Sequence, residues 1–74
     1  MRRSPIITGR WTAARQAWLE RLEQGPAVRA GTVVGFQCYR LGWTEWEDGP
    51  TNREKLTEDG RAKLAEWRAE GRAP

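Results

Sequence analysis

The sequence predicts an α+β fold, mostly α: three helices, with a short β-hairpin between the last two. Three observations lead there. A stripe of apolar residues at helical spacing ends at Gly25-Pro26, a strong helix stop. Gly42, which can end a helix in the left-handed conformation, is followed by Trp43-Thr44-Glu45-Trp46, three of whose four residues are β-branched or aromatic. Asp48-Gly49-Pro50-Thr51-Asn52 is dense in turn formers, and Thr57-Glu58-Asp59 then has the form of a capped helix start.

Taken in order, residues 1–10 read as a basic N-terminal arm, and residues 11–72 as one domain. The arm carries Arg2, Arg3 and Arg10, with only Ile6-Ile7 apolar after the first residue. Such an arm suits a nucleic-acid backbone, where it gains affinity by releasing counterions; a frayed terminus is the plainer reading. Thr12 caps a first helix expected over about Ala13 to Gln24. Trp11, Ala14, Trp18, Leu19 and Leu22 form its apolar stripe, with Arg15, Glu20, Arg21, Glu23 and Gln24 on the flanks. Ala27-Val28-Arg29-Ala30 is too short for more than a single helical turn.

A second long helix is expected from about Thr32 to Leu41. At 100° per residue Val34, Cys38 and Leu41 share a face with Gln37 at its edge, while Thr32, Phe36, Tyr39 and Arg40 point elsewhere. Gly35 costs this helix about 1 kcal/mol relative to Ala, which close packing against the glycine would offset. In the following strand the two-residue alternation puts Trp43 and Trp46 on opposite faces, so one faces the core. The last helix is expected from about Glu58 to Ala69. Leu64 and Trp67 form its inward ridge, and Gly60 permits close approach at its start.

Composition narrows the chemistry. Seventy-four residues with one cysteine and no histidine leave neither a disulfide nor the usual Cys/His zinc site. No metal or other cofactor is expected. Five tryptophans must then supply much of the core, since each large aromatic buries roughly 150–250 Å². There is no nucleophile with a recognisable base and no phosphate-cradling glycine loop, so an enzyme is not expected. No apolar run approaches a membrane span, and a cytoplasmic setting without a membrane partner is expected. Charge is polarised: residues 1–40 hold seven arginines against two glutamates, and residues 41–74 six basic against eight acidic residues.

The run Leu56-Thr57-Glu58-Asp59-Gly60-Arg61-Ala62-Lys63-Leu64, entered from a hairpin, resembles the return strand and following helix of winged-helix transcriptional regulators. The chain also resembles small proteins of phages and prophages. The winged-helix resemblance implies a single winged-helix domain that binds duplex DNA as a transcriptional regulator or recombination accessory factor. It makes the helix from Thr32 the recognition helix, with Thr32, Phe36, Gln37, Tyr39 and Arg40 as reading residues. Arg2, Arg3, Arg10, Arg15 and Arg29 would hold phosphates. A domain this small is expected to form a homodimer or act beside a larger protein partner.

Two features of the sequence depart from the resemblance. The segment where a second helix of the helix-turn-helix belongs is nearly absent. The hairpin's first strand carries Glu45, Glu47 and Asp48, which repel a phosphate backbone. They support the rival reading, a protein-interaction module on the same scaffold that does not bind DNA. Its expected signature is an exposed apolar patch that includes Phe36, Tyr39 or one of Trp43 and Trp46.

Overall fold

The computed structural model describes residues 7–29, 31–48 and 52–74. Three helices, α1 (Ala13–Glu23), α2 (Val33–Arg40) and α3 (Glu58–Ala69), pack with three short strands, β1 (Ala27–Val28), β2 (Thr44–Trp46) and β3 (Arg53–Leu56). This is an α+β fold with the hairpin β2–β3 between the last two helices. The turn residues 49–51 lie outside the described residues.

Each helix opens on a threonine. The hydroxyls of Thr12, Thr32 and Thr57 accept hydrogen bonds from the backbone N–H groups of Arg15, Gly35 and Gly60 respectively, each satisfying one of the donors a helix start leaves free. Thr57 does more. Its Oγ1 also donates to the Gly42 carbonyl at 2.6 Å, tying the start of α3 to the turn that ends α2. Gly42 takes a φ of 82°, the left-handed conformation expected of it.

The short segment after Pro26 corrects one expectation. Ala27-Val28 is not a helical turn but a strand. It pairs antiparallel with β3, Ala27 opposite Glu54 and Val28 opposite Arg53. On its other edge β3 pairs with β2 (Thr44 with Leu56, Glu45 with Lys55, Trp46 with Glu54), giving the sheet order β1-β3-β2. Pairing with a strand about 26 residues downstream decides the conformation here, where the two residues themselves carry no periodicity.

The core is Leu19, Leu22, Ala27, Cys38, Trp43, Leu56, Leu64 and Trp67, with Trp11, Trp18, Val34 and Leu41 packed against it. Trp43 and Trp67 meet edge to face, ring centroids 5.3 Å apart. Gly60 is the tightest point. A Cβ there would lie 2.0 Å from the Trp43 carbonyl oxygen, so only glycine lets α3 approach β2 this closely. Cys38 is fully buried and free, and burial pushes its thiol up to about 11.

Candidate functional site: an aromatic–arginine face

The face begins at a buried carboxylate. Glu54 sits on the central strand with no solvent exposure. By strand alternation it shares a sheet face with the core residue Leu56, and its cross-strand neighbours there are Ala27 and Trp46. Burying a lone carboxylate is costly, and Glu54 is therefore fully partnered. One oxygen accepts from Thr44 Oγ1 at 2.7 Å, and the other accepts from Arg29 Nε in a close ion pair.

Arg29 in turn organises the surface. Its guanidinium carbon lies 6.0 Å from the Phe36 ring centroid, 5.3 Å from that of Tyr39 and 5.2 Å from that of Trp46. Its stem runs over Gly35, where a Cβ would come within 2.6 Å of Cγ. Gly35 thus packs closely, as expected, but against an arginine stem. Tyr39 and Trp46 are themselves neighbours, centroids 5.9 Å apart and tilted by 52°. Arg40 reaches back over Phe36 at 5.8 Å.

The result is a partly exposed cluster of rings from α2 and β2 gathered around the Arg29 guanidinium, with Arg40 over Phe36. Phe36 is 45% exposed, Tyr39 36% and Trp46 47%, and Val33, one turn before Phe36, is exposed as well. One of the two tryptophans, Trp43, is in the core, as expected; it lies just before β2, and Trp46, on the sheet face of Glu54 and Leu56, is exposed.

Among the described residues assigned to DNA contact, Arg15 is buried and Arg29 half-buried, while Arg10 and Arg40 are exposed. Arg2 and Arg3 lie outside the described residues. Arg10 and Thr32 are exposed, and Thr32 also caps α2. Phe36, Tyr39 and Arg40 are exposed on the aromatic face. Arg29 is spent on Glu54 and the rings. Arg15 corrects the reading of a solvated flank: it is only 5% exposed. Its Nη1 donates to the Thr8 and Arg10 carbonyls at 2.6 and 2.8 Å, its Nη2 donates to Gln37 Oε1 at 3.0 Å, and its guanidinium lies over Trp43. This stitches residues 8–10 to α1 and α2. It also engages the half-buried Gln37, so neither side chain is available to nucleic acid as placed.

The sequence carried signals for the buried polar residues. Arg15 precedes Leu19 by four and Leu22 by seven, the spacing of one helix face, and Glu54 precedes Leu56 by two, the spacing of one strand face. Gln16 is buried too. Its amide oxygen accepts from Trp11 Nε1 at 2.7 Å, and its nitrogen donates to Glu20 and to the Arg72 carbonyl.

A concavity of about 370 Å³ lies between α1 and the start of α2, lined by Ala14, Ala17, Trp18, Arg21, Thr32 and Val34. Among the described residues no cluster of His, Cys, Asp or Glu has the makings of a metal site, and no helix is long and apolar enough to cross a membrane. The fold and this face define a small α+β domain with an aromatic surface built on a buried ion pair. Comparison with protein-family models, with curated proteins and with solved structures finds no match to the chain.

Proposed function

We infer that this chain is a protein-interaction module that docks through the aromatic–arginine face of α2 and β2, on a winged-helix-like scaffold. The exposure of Phe36, Tyr39 and Trp46 as one cluster carries this reading. Aromatic rings and arginine are the side chains that most often dominate binding energy at protein interfaces. Rings already fixed by Arg29 lose little freedom on docking, which leaves more of their contact energy for affinity.

The charge around the face suits a protein better than a phosphate backbone. Arg29 is neutralised by Glu54, and Arg53 donates to Glu47 at 3.1 Å. Asp48 is exposed at the hairpin end.

The second reading, duplex DNA bound by α2 and the basic arm as in a regulator or recombination accessory factor, draws its support from the placement of α2 directly before the hairpin. Thr32 and Arg40 are exposed along α2, and Arg10 is exposed on the arm that precedes α1. Both readings are separated by one pair of measurements. A random peptide display library is panned on the wild-type chain and on a Phe36→Ala/Trp46→Ala variant, and labelled duplex DNA is titrated at low and high salt. A peptide consensus that the variant fails to select, with no salt-dependent DNA affinity, is the expected result. Salt-steep DNA binding without any selected peptide overturns the docking reading in favour of DNA.

A further inference from the structure

We propose that the concavity between α1 and the start of α2 is a binding site for a small carboxylate with an apolar body. It uses none of the rings or cations of the aromatic–arginine face and is independent of the docking reading.

Its lining comes from one helix face and one helix start. Ala14, Ala17, Trp18 and Arg21 follow one another on α1 at the spacing of a single face, and Thr32 and Val34 belong to the cap and first turn of α2. The two alanines leave room that longer side chains would fill. The resulting volume, about 370 Å³, is at the small end for ligand sites. The alanine methyls, the Trp18 indole and Val34 give the occupant an apolar bed.

Three features of the same lining select an anion. Arg21 is exposed, and its guanidinium forms no ion pair or hydrogen bond among the described residues, which include every acidic residue of the chain. Trp18 Nε1 is buried and donates to nothing among the described residues. An indole N–H in that state lacks an acceptor, which a bound carboxylate brings. α2 begins at Thr32, and its first turn carries no acidic residue to offset the positive end of its dipole. Trp18 and Arg21 stand three residues apart on α1 and are neighbours on its surface. One carboxylate can thus accept from the indole and pair with the guanidinium while its tail lies along Ala14 and Ala17. A cationic ligand is repelled by Arg21, and an uncharged one leaves that charge unused.

The test is an NMR titration of the isotope-labelled full chain with octanoate at constant ionic strength. It is read at the indole N–H resonances, Trp18's being the one lost in a Trp18→Phe chain. A saturable shift of the Trp18 resonance is expected, with a dissociation constant on the order of 1 mM. Arg21→Gln, at an exposed position, should keep the fold and weaken binding about 5–10-fold, and octan-1-ol should bind more weakly than octanoate by a similar factor. Ala14→Leu, which fills the concavity from an exposed position on α1, should abolish the shift while the rest of the spectrum stays that of the folded chain. A Trp18 resonance that does not move, a shift confined to other tryptophans, octan-1-ol binding as tightly as octanoate, or undiminished binding in the Arg21→Gln or Ala14→Leu chain overturns the proposal.

Discussion

Glu54 has no water to share its charge with, so its stability depends on Arg29 and Thr44 alone. Removing one partner of a buried pair costs more than the pair contributes, because the remaining charge stays desolvated. Arg29→Ala is therefore expected to destabilise the chain by about 3–5 kcal/mol, and Arg29→Ala/Glu54→Gln by clearly less. Urea denaturation of the three chains measures this; equal losses in the single and double variants would mean the carboxylate is not the source of the cost. Gly60 is a second single-residue constraint. Alanine there gains about 1 kcal/mol of helix propensity, yet its Cβ would lie 2.0 Å from a backbone oxygen that has no room to yield. The clash should win, by about 1–3 kcal/mol or more, and a Gly60→Ala chain should melt below wild type. A higher midpoint would show that α3 can shift away from β2.

At the scale of the elements, Thr57 joins two roles in one hydroxyl, capping α3 and donating to the end of the α2 turn. Thr57→Ala is expected to cost about 1–2 kcal/mol, with Thr57→Ser recovering most of it, since serine keeps the oxygen; thermal melts of both variants check this. The caps, the Gly42 stop, the hairpin and all three long helices were legible because their signals are local: a hydroxyl before a helix, a glycine after one, a cluster of turn formers. The outward direction of Phe36, Tyr39 and Arg40 was legible from helical projection. What was not legible depended on partners far along the chain. Ala27-Val28 becomes a strand only because Arg53-Glu54 lies beside it. Arg29 reads as a free cation until Glu54 is placed beneath it, and Arg15 until the carbonyls of Thr8 and Arg10 close around its guanidinium. A charged residue on an apolar face looks like a flank unless its interior acceptors are known.

For the molecule as a whole, two titrations bound the pH range of full stability. The Cys38 thiol is raised by burial, so the folded chain holds that proton where the unfolded chain releases it. Its contribution is complete below about 9.0, the ordinary thiol value, and is lost as pH rises toward about 11. On the acid side, the hydrogen bond from Arg68 holds Glu23 below its ordinary 4.5, so that contribution is present above this value and fades as pH falls through the lowered one. The exposed Arg68–Glu23 pair makes the acid effect small. Thermal midpoints should be flat between these limits and fall more steeply on the alkaline side. A Cys38→Ala chain, though less stable at neutral pH, should lose the alkaline slope, and persistence of the slope would assign it to another group.

The strand order carries a consequence for how the chain comes together on the ribosome. The two outer strands are synthesised first and the one that joins them arrives last. Until Leu56 has emerged, β1 and β2 have no ladder to enter, and Arg29 waits beneath its rings without a counter-charge. Maturation is thus deferred to a late, non-local closure, and a nascent chain stalled near Asp48 should be degraded by proteases that the finished protein resists.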